Sequence, residues 1–301
     1  MSLIVNSVAV LSGMGLIFGA GLAFASQKFA VEVDPKVEAI NNALPGANCG
    51  GCGLPGCSAL AQAIAEGKAP VNACPVGGSD CASQIASIMG VEADAGEKKV
   101  ARVICNGTCS SAKEKAEYVG IKDCKAAMLV ASGSKSCTYG CLGLGTCVSA
   151  CAFGAIDIVD GVAVIDKDKC VSCGKCLDVC PKNVIDMVPY SKEVVVECNS
   201  LDFGKAVKDK CSVGCIGCGM CVKECPFDAI IFENKIAKID YDKCKQCYKC
   251  VVKCPTGAIS GNPEKIEKIK KAQEAKKARE AAKKKEEAQK MAAQAENKEE
   301  K

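Results

Sequence analysis

The sequence predicts an α+β chain of modular construction: a transmembrane helix, a small glycine- and cysteine-rich domain, two tandem repeats of βαβ type, and a polar tail that is helical or disordered. Three observations carry this prediction. Leu3 to Ala25 runs for 23 residues without a charge, nine cysteines recur 74 residues further on, and from Glu264 the chain is almost wholly Lys, Glu, Ala and Gln. The implied boundaries are 1–27 for the anchor, 28–81 for the glycine-rich domain, 82–136 for a connector, 137–188 and 189–262 for the repeats, and 263–301 for the tail.

Composition narrows the chemistry first. The 301 residues include 26 cysteines, no histidine and no tryptophan. Disulfides at this density belong to short secreted domains, whereas a chain of this length can bury a core without them. Without histidine, His-based acid–base catalysis, His-ligated haem, Cys2His2 zinc and Rieske ligation are excluded. The net charge of +4 lies entirely in the tail, where 13 Lys/Arg face 9 Asp/Glu. No basic stripe interleaved with aromatics is present, so no nucleic-acid partner is expected.

The uncharged run from Leu3 to Ala25 is long enough, at about 1.5 Å per residue, to cross a hydrocarbon core of about 30 Å. Ala23-Phe24-Ala25 has the look of a signal-peptidase site, but no Lys or Arg precedes the run and it exceeds a usual signal core. An uncleaved anchor in the cell membrane is therefore expected. Lys28 and Lys36 follow it, which places the remainder on the cytoplasmic side by the positive-inside tendency. Gly15 and Gly19 form a G-x3-G pair open to a second membrane helix, or simply reflect the frequency of glycine in such helices.

After the anchor, Asp34-Pro35 has the chemistry of an N-cap with proline at the first helical position, opening a short helix that ends near Pro45-Gly46. Then comes Cys49-Gly50-Gly51-Cys52-Gly53-Leu54-Pro55-Gly56-Cys57, a helix over Ser58 to Ala65, and Cys74-Pro75. Cys81 to Val100 has no strong signal and reads as connector.

The 74-residue period sets Cys124, Cys137, Cys141, Cys147, Cys151, Cys170, Cys173, Cys176 and Cys180 against Cys198, Cys211, Cys215, Cys221, Cys225, Cys244, Cys247, Cys250 and Cys254. In each copy two apolar runs flank a turn, at Asp160-Gly161 and at Glu233-Asn234, which reads as a β-hairpin. The tail beyond Glu264 is polar on every face and reads as solvated rather than core.

The spacing of the thiols points to 4Fe-4S cubes. Cys170-x2-Cys173-x2-Cys176-x3-Cys180-Pro181, Cys215-x2-Cys218-x2-Cys221-x3-Cys225-Pro226 and Cys244-x2-Cys247-x2-Cys250-x3-Cys254-Pro255 are bacterial-ferredoxin runs. In such runs three thiolates hold one cube and the fourth, before proline, reaches to its mate. The second repeat thus pairs Cys215, Cys218 and Cys221 with Cys254, and Cys244, Cys247 and Cys250 with Cys225. Zinc sites instead take two Cys pairs across a long loop. The expected fold of each repeat is the bacterial-ferredoxin-like (βαβ)2 unit.

The first repeat departs from the pattern. Leu144 stands where Cys218 stands in the second copy, and Ala152 replaces the proline. Cys137 is the nearest substitute, giving Cys137, Cys141, Cys147 and Cys180 for one cube and Cys170, Cys173, Cys176 and Cys151 for its mate; a degraded, empty site is the alternative. Cys49, Cys52, Cys57 and Cys74 supply a fifth set, with glycines that let backbone amides approach sulfide. Cys81, Cys105, Cys109, Cys124, Cys198 and Cys211 are left over. A sixth cube drawn from Cys105, Cys124, Cys198 and Cys211, with Cys109 as a substitute, stands against the reading that these are spare buried thiols.

No G-x-G-x-x-G or G-x4-G-K-[ST] run follows an apolar strand, so no nicotinamide, flavin or nucleotide cradle is expected on this chain. Several cubes without a substrate motif imply one-electron traffic.

The anchor, the Asn48-to-Cys57 motif with Cys74-Pro75, the segment Cys137-Thr138-Tyr139-Gly140-Cys141-Leu142-Gly143-Leu144-Gly145 and the ferredoxin runs together resemble the B subunit of the Rnf complex, in its longer clostridial and acetogen form. The resemblance covers roughly residues 1 to 260. It implies a membrane-bound ferredoxin:NAD oxidoreductase that couples electron flow to Na+ or H+ translocation. This subunit would accept electrons from reduced ferredoxin and relay them to the membrane subunits, with the nicotinamide site on another subunit. Two other readings stand beside it. One is a polyferredoxin subunit of a membrane hydrogenase or related oxidoreductase. The other is a corrinoid or methyl-transfer protein, for which the chain has no room for the barrel and cobamide domain.

Overall fold

The computed structural model describes residues 2–28, 34–92, 96–276 and 279. Helix α1 (Ser2–Lys28) is one continuous apolar rod. It is long and apolar enough over Asn6–Lys28 to cross a membrane, and the side chains of that span lie outside any protein core. Gly15 and Gly19 have open space at their Cα atoms.

The glycine-rich domain is built on α2 (Pro35–Ala43), α3 (Cys57–Ala65) and α4 (Gly78–Met89). Asp34 caps α2 through its carboxylate, which accepts the Lys36 N–H, and Pro35 occupies the first turn. Gly90, at φ +69°, ends α4 in the left-handed conformation typical of a helix stop. Ile40, Leu44, Leu60, Ile64 and Ile85 form the core these helices share.

The first ferredoxin-type unit runs from β1 (Lys99–Val103) through α5 (Cys124–Leu129), α6 (Thr146–Ala150), β2 (Ile156–Val159), β3 (Val162–Ile165) and α7 (Lys175–Val179) to β4 (Ile185–Pro189). The second comprises β5 (Val195–Val196), α8 (Lys205–Lys208), α9 (Met220–Glu224), β6 (Ile230–Glu233), β7 (Ile236–Ile239), α10 (Lys249–Lys253) and β8 (Ile259–Ser260). In each unit the first strand pairs antiparallel with the last, β1 with β4 and β5 with β8, and a hairpin, β2–β3 or β6–β7, forms a second sheet. The stretch read from sequence as connector therefore carries most of α4 and the whole of β1 and α5. Lys99↔Pro189 and Val103↔Ile185 bound the β1–β4 register. Periodicity did not reveal β1 because, at five residues, it gains its identity from a partner far along the chain.

The hairpin turns need two consecutive residues with positive φ. Asp160 and Gly161, at +46° and +72°, supply them in the first unit. In the second the turn residues are Asn234 and Lys235, at +49° and +66°, one position later than Glu233-Asn234; Glu233 is still paired, with Ile236.

Residues 263–276 form a further helix, α11, and Ile266 and Ile269 pack against the core of the second unit. Lys265 Nζ pairs with Glu193 Oε2 at 2.7 Å. The tail is thus docked at its start rather than solvated on every face. Residues 280–301 of the tail lie outside the described residues.

Candidate metal centres

Four local structures repeat one design. Each of α6, α7, α9 and α10 begins after a residue in the left-handed conformation, Gly145, Gly174, Gly219 or Tyr248. Each carries a buried cysteine as its second residue, Cys147, Cys176, Cys221 or Cys250, and ends on an extended cysteine, Cys151, Cys180, Cys225 or Cys254. The left-handed residue turns the loop cysteines back over the helix start. The extended cap sends the last cysteine away, toward the other half of the unit. Tyr248 is the one non-glycine at this position. It is buried, its hydroxyl donates to the Glu193 carboxylate, and Lys265 lies 5.9 Å from its ring centre, so packing holds a conformation that glycine would adopt freely.

In the second unit, thiols from separate runs are neighbours. Burial pushes Cys221 up to about 11, with Cys215, Cys254 and Cys218 as like-charged neighbours. Burial pushes Cys250 up to about 12, with Cys247, Cys244 and Cys225 around it. Thiols gathered this closely repel one another once ionised, and a cationic core is the group that offsets this. In the glycine-rich domain, Cys74 is raised by burial and by Cys57 and Cys49, while the Gly77 N–H donates to its Sγ at 3.3 Å. Cys52 and Cys57 pack against the same core.

In the first unit the structure groups the thiols differently from the sets the sequence offered. One pocket is lined by Cys151, Cys170, Cys173 and Cys176. Another is lined by Cys124, Cys141, Cys147 and Cys180, without Cys137. Burial raises Cys147 to about 11, and Cys141, Cys124 and Cys180 are its thiol neighbours. Cys124 opens α5, whose N-cap Asp123 accepts the Ala126 N–H and the Thr146 hydroxyl, and Thr146 Oγ1 accepts the Cys124 N–H at 2.6 Å. That network brings a thiol from the 104–136 segment to the place left by Leu144. No local spacing signals it.

Cys137 instead lines a third pocket, with Cys105, Cys198 and Cys211. Cys109, read as a substitute ligand, is exposed and packs over Gly161 at the β2–β3 turn, away from that cavity. Cys81 is buried in the helical core, where its Sγ donates to the Ala43 carbonyl at 3.3 Å. Among the described residues, no group of three or more Cys, Asp or Glu stands close enough to hold a single metal ion. Four thiols around a cavity suit a larger inorganic core better than they suit zinc, which draws its ligands to about 2.3 Å.

Backbone donors reach several of these sulfurs: Ala101 N–H to Cys170 at 3.5 Å, Ala155 N–H to Cys151 at 3.4 Å and Cys141 N–H to Cys105 at 3.3 Å. Such donors favour the more negative, reduced form of a cluster. Gly51 lies against the Cys173 backbone, so the first cysteine loop touches a ligand loop of the neighbouring unit.

Comparison with known proteins finds iron-sulfur families over these segments. A "Putative Fe-S cluster" family model matches residues 44–76, and a "4Fe-4S dicluster domain" model matches residues 136–184, 169–229 and 214–258. The B subunit of the Na(+)-translocating ferredoxin:NAD(+) oxidoreductase complex of Acetobacterium woodii is 56% identical over 88% of this chain and 80% of its own length. The B subunit of an ion-translocating oxidoreductase complex of Methanosarcina acetivorans is 47% identical over 86% of this chain and 98% of its own. The B subunit of the proton-translocating ferredoxin:NAD(+) oxidoreductase complex of Clostridium ljungdahlii is 45% identical over 86% and 93%. With identities of this order across most of each pair of chains, the protein belongs to the family of B subunits of ion-translocating ferredoxin:NAD(+) oxidoreductase, or Rnf, complexes.

Proposed function

We propose that this chain is the iron-sulfur relay of an Rnf complex, taking electrons from reduced ferredoxin and passing them to membrane subunits, with α1 as a single-pass anchor and the cluster units on the cytoplasmic side. A 4Fe-4S cluster held by four thiolates takes up and releases one electron at a time. The chain supplies the sites, their spacing and their insulation. The observation that carries this reading is the gathering of thiols from separate segments into four-cysteine sets along the two units.

Within it, Cys49, Cys52, Cys57 and Cys74 hold the cluster nearest the anchor. Cys151, Cys170, Cys173 and Cys176 hold the next, and Cys124, Cys141, Cys147 and Cys180 its mate. In the second unit the sets are Cys215, Cys218, Cys221 and Cys254, and Cys225, Cys244, Cys247 and Cys250. The close approach of Gly51 to Cys173 supports electron exit through the Cys49 set, since tunnelling weakens steeply with distance. The nicotinamide site and the coupling to Na+ or H+ transport belong to other subunits.

The direction is tested in the assembled complex. Cys57→Ser should leave the second-unit clusters reducible by ferredoxin while blocking reduction of the membrane cofactors. Cys250→Ser should block entry. Membrane cofactors that are still reduced at the wild-type rate in Cys57→Ser would overturn the proposed exit.

A further inference from the structure

We infer that α10 and α11 form a lysine-lined groove on the second unit that receives reduced ferredoxin, so that the charged tail builds the point of electron entry. The inference rests on the relay reading above and adds where the donor sits. α11 begins at Asn262-Pro263-Glu264. The Asn262 side chain accepts the Glu264 N–H at 3.0 Å, its backbone carbonyl accepts the Ile266 N–H at 3.0 Å, and proline suits the first helical position. Ile266, Ile269 and Gln273 are half-buried at helical spacing while the residues between them are exposed, so one stripe of α11 is seated on the second unit.

Seated this way, α11 brings Lys270 and Lys276 to the same groove as Lys249 and Lys253 of α10, with Glu224 at the end of α9 and Glu274 as its carboxylates. Four lysines against two carboxylates leave the groove positive. Among the described residues none of these four lysines belongs to an ion pair, whereas Lys265 and Lys271 are paired, with Glu193 and Glu267. Lys249 and Lys253 lie about one turn apart on α10 and are the chain neighbours of Cys250 and Cys254. A partner held by these lysines therefore rests on the helix that carries the Cys250 thiol.

Among the described residues the first unit shows no counterpart. In the 74-residue register α7 has Lys175 and Val179 where α10 has Lys249 and Lys253, and Asp178 where α10 has Val252. Ala150 of α6 stands where α9 has Glu224. After β4 the chain runs on to β5, with no helix folded back as α11 is after β8. The basic face thus separates two units that are otherwise built alike.

The charge selects the partner. A 4Fe-4S core bound by four thiolates is anionic and gains one more negative charge on reduction, so a positive groove holds the loaded carrier more tightly than the spent one. The same field steers an acidic protein toward the groove. On transfer one electron leaves the ferredoxin cluster and one enters the Cys250 set, with no bond or proton changing hands. An anionic membrane surface would meet the same lysines, but the two carboxylates repel a layer of phosphates, and a lipid gains nothing from proximity to Cys250.

The test is stopped-flow reduction of the anaerobic full-length chain by reduced ferredoxin at low and high ionic strength, beside photoreduction by a deazaflavin, which needs no docking. Lys270→Glu combined with Lys276→Glu should slow reduction by ferredoxin about tenfold or more at low salt and flatten its salt dependence. Iron content and photoreduction should keep their wild-type values. Lys249→Glu should act in the same direction from the other wall, and Ile266→Ser, which leaves every charge in place but unseats α11, should also slow ferredoxin. Lys175→Glu, at the matching place in the first unit, should not. Wild-type rates and salt dependence in the Lys270→Glu, Lys276→Glu chain, or equal slowing by Lys175→Glu, overturn the groove and leave the relay intact. So does a variant that loses only its binding to anionic vesicles. A wild-type chain that the deazaflavin reduces and ferredoxin does not overturns the donor reading itself.

Discussion

Substituting Gly51 by alanine tests how the anchor-side domain is joined to the rest of the relay. Gly51 does not have a positive φ, so its requirement is for space rather than conformation. A Cβ there would lie 2.8 Å from the Cys173 carbonyl oxygen, 2.9 Å from its Cα and 3.2 Å from its carbonyl carbon. These are backbone atoms, and their loop is tied down by the hydrogen bond from the Ser172 hydroxyl to the Lys99 carbonyl on β1. The loop therefore has little freedom to retreat. Overpacking of this kind costs about 1–3 kcal/mol, and spent on the docking equilibrium it shifts the docked population by about 5- to 150-fold. Neither Cys49 nor Cys52 is altered, so iron per chain should stay at the wild-type value. The assay is freeze-quench paramagnetic resonance of the full-length chain after mixing with reduced ferredoxin, following the anchor-side cluster. Its reduction should slow while that of the second-unit clusters does not. Gly96→Ala, at a glycine with open space and no positive φ, is the control. Gly51→Ala protein with full iron and a wild-type rate would show that the two domains do not dock through this contact.

Other perturbations address individual groups. Cys124→Ser should remove about four iron atoms, and adding Leu144→Cys, which restores the ordinary run, should return them; analysis of iron and sulfide checks both. Lys135→Gln removes a buried positive charge that favours the reduced, more negative cluster, so one midpoint in a redox titration should fall by at least about 59 mV, a tenfold change for one electron, with iron retained. Ile266→Asp should detach α11 from the second unit at a cost of about 1–2 kcal/mol, read as faster proteolysis near residue 263, whereas Lys265→Ala, which breaks only a partly exposed ion pair, should cost less than about 1 kcal/mol. Acidification should loosen the same contact. Lys265 and then Tyr248 hold the Glu193 carboxyl below its ordinary 4.5, so the stabilisation is fully present above that value and is lost as pH falls through the lowered one.

Where ligands lie three or four residues apart, the sequence specifies the site, because a left-handed residue and one helical turn suffice to gather them. That is why the Cys170, Cys215 and Cys244 runs are legible as candidate sites. Cys124 and Cys137 line pockets other than those the sequence offered them because the deciding geometry is tertiary. α5 is positioned by Asp123 and Thr146, and Cys137 lines a pocket whose other half lies beyond residue 195. The 74-residue register misleads for the same reason. It aligns Cys124 with Cys198 by number, while the strands preceding them align Cys105 with Cys198. β1 was hidden because its pairing with β4 bridges more than eighty residues of chain. At Asn234-Lys235 the turn lacked the glycine that marks its counterpart, and Ile266 and Ile269 were masked by the charges around them.

A relay of iron-sulfur clusters stands or falls on the metal content and paramagnetic signature of the anaerobically purified chain before and after reduction by ferredoxin. Iron and acid-labile sulfide should be present in equal amounts with negligible zinc, and the paramagnetic signals of reduced 4Fe-4S clusters should appear on reduction and vanish on oxidation. A colourless preparation, zinc in place of iron, or iron that stays silent under reduction would contradict the relay.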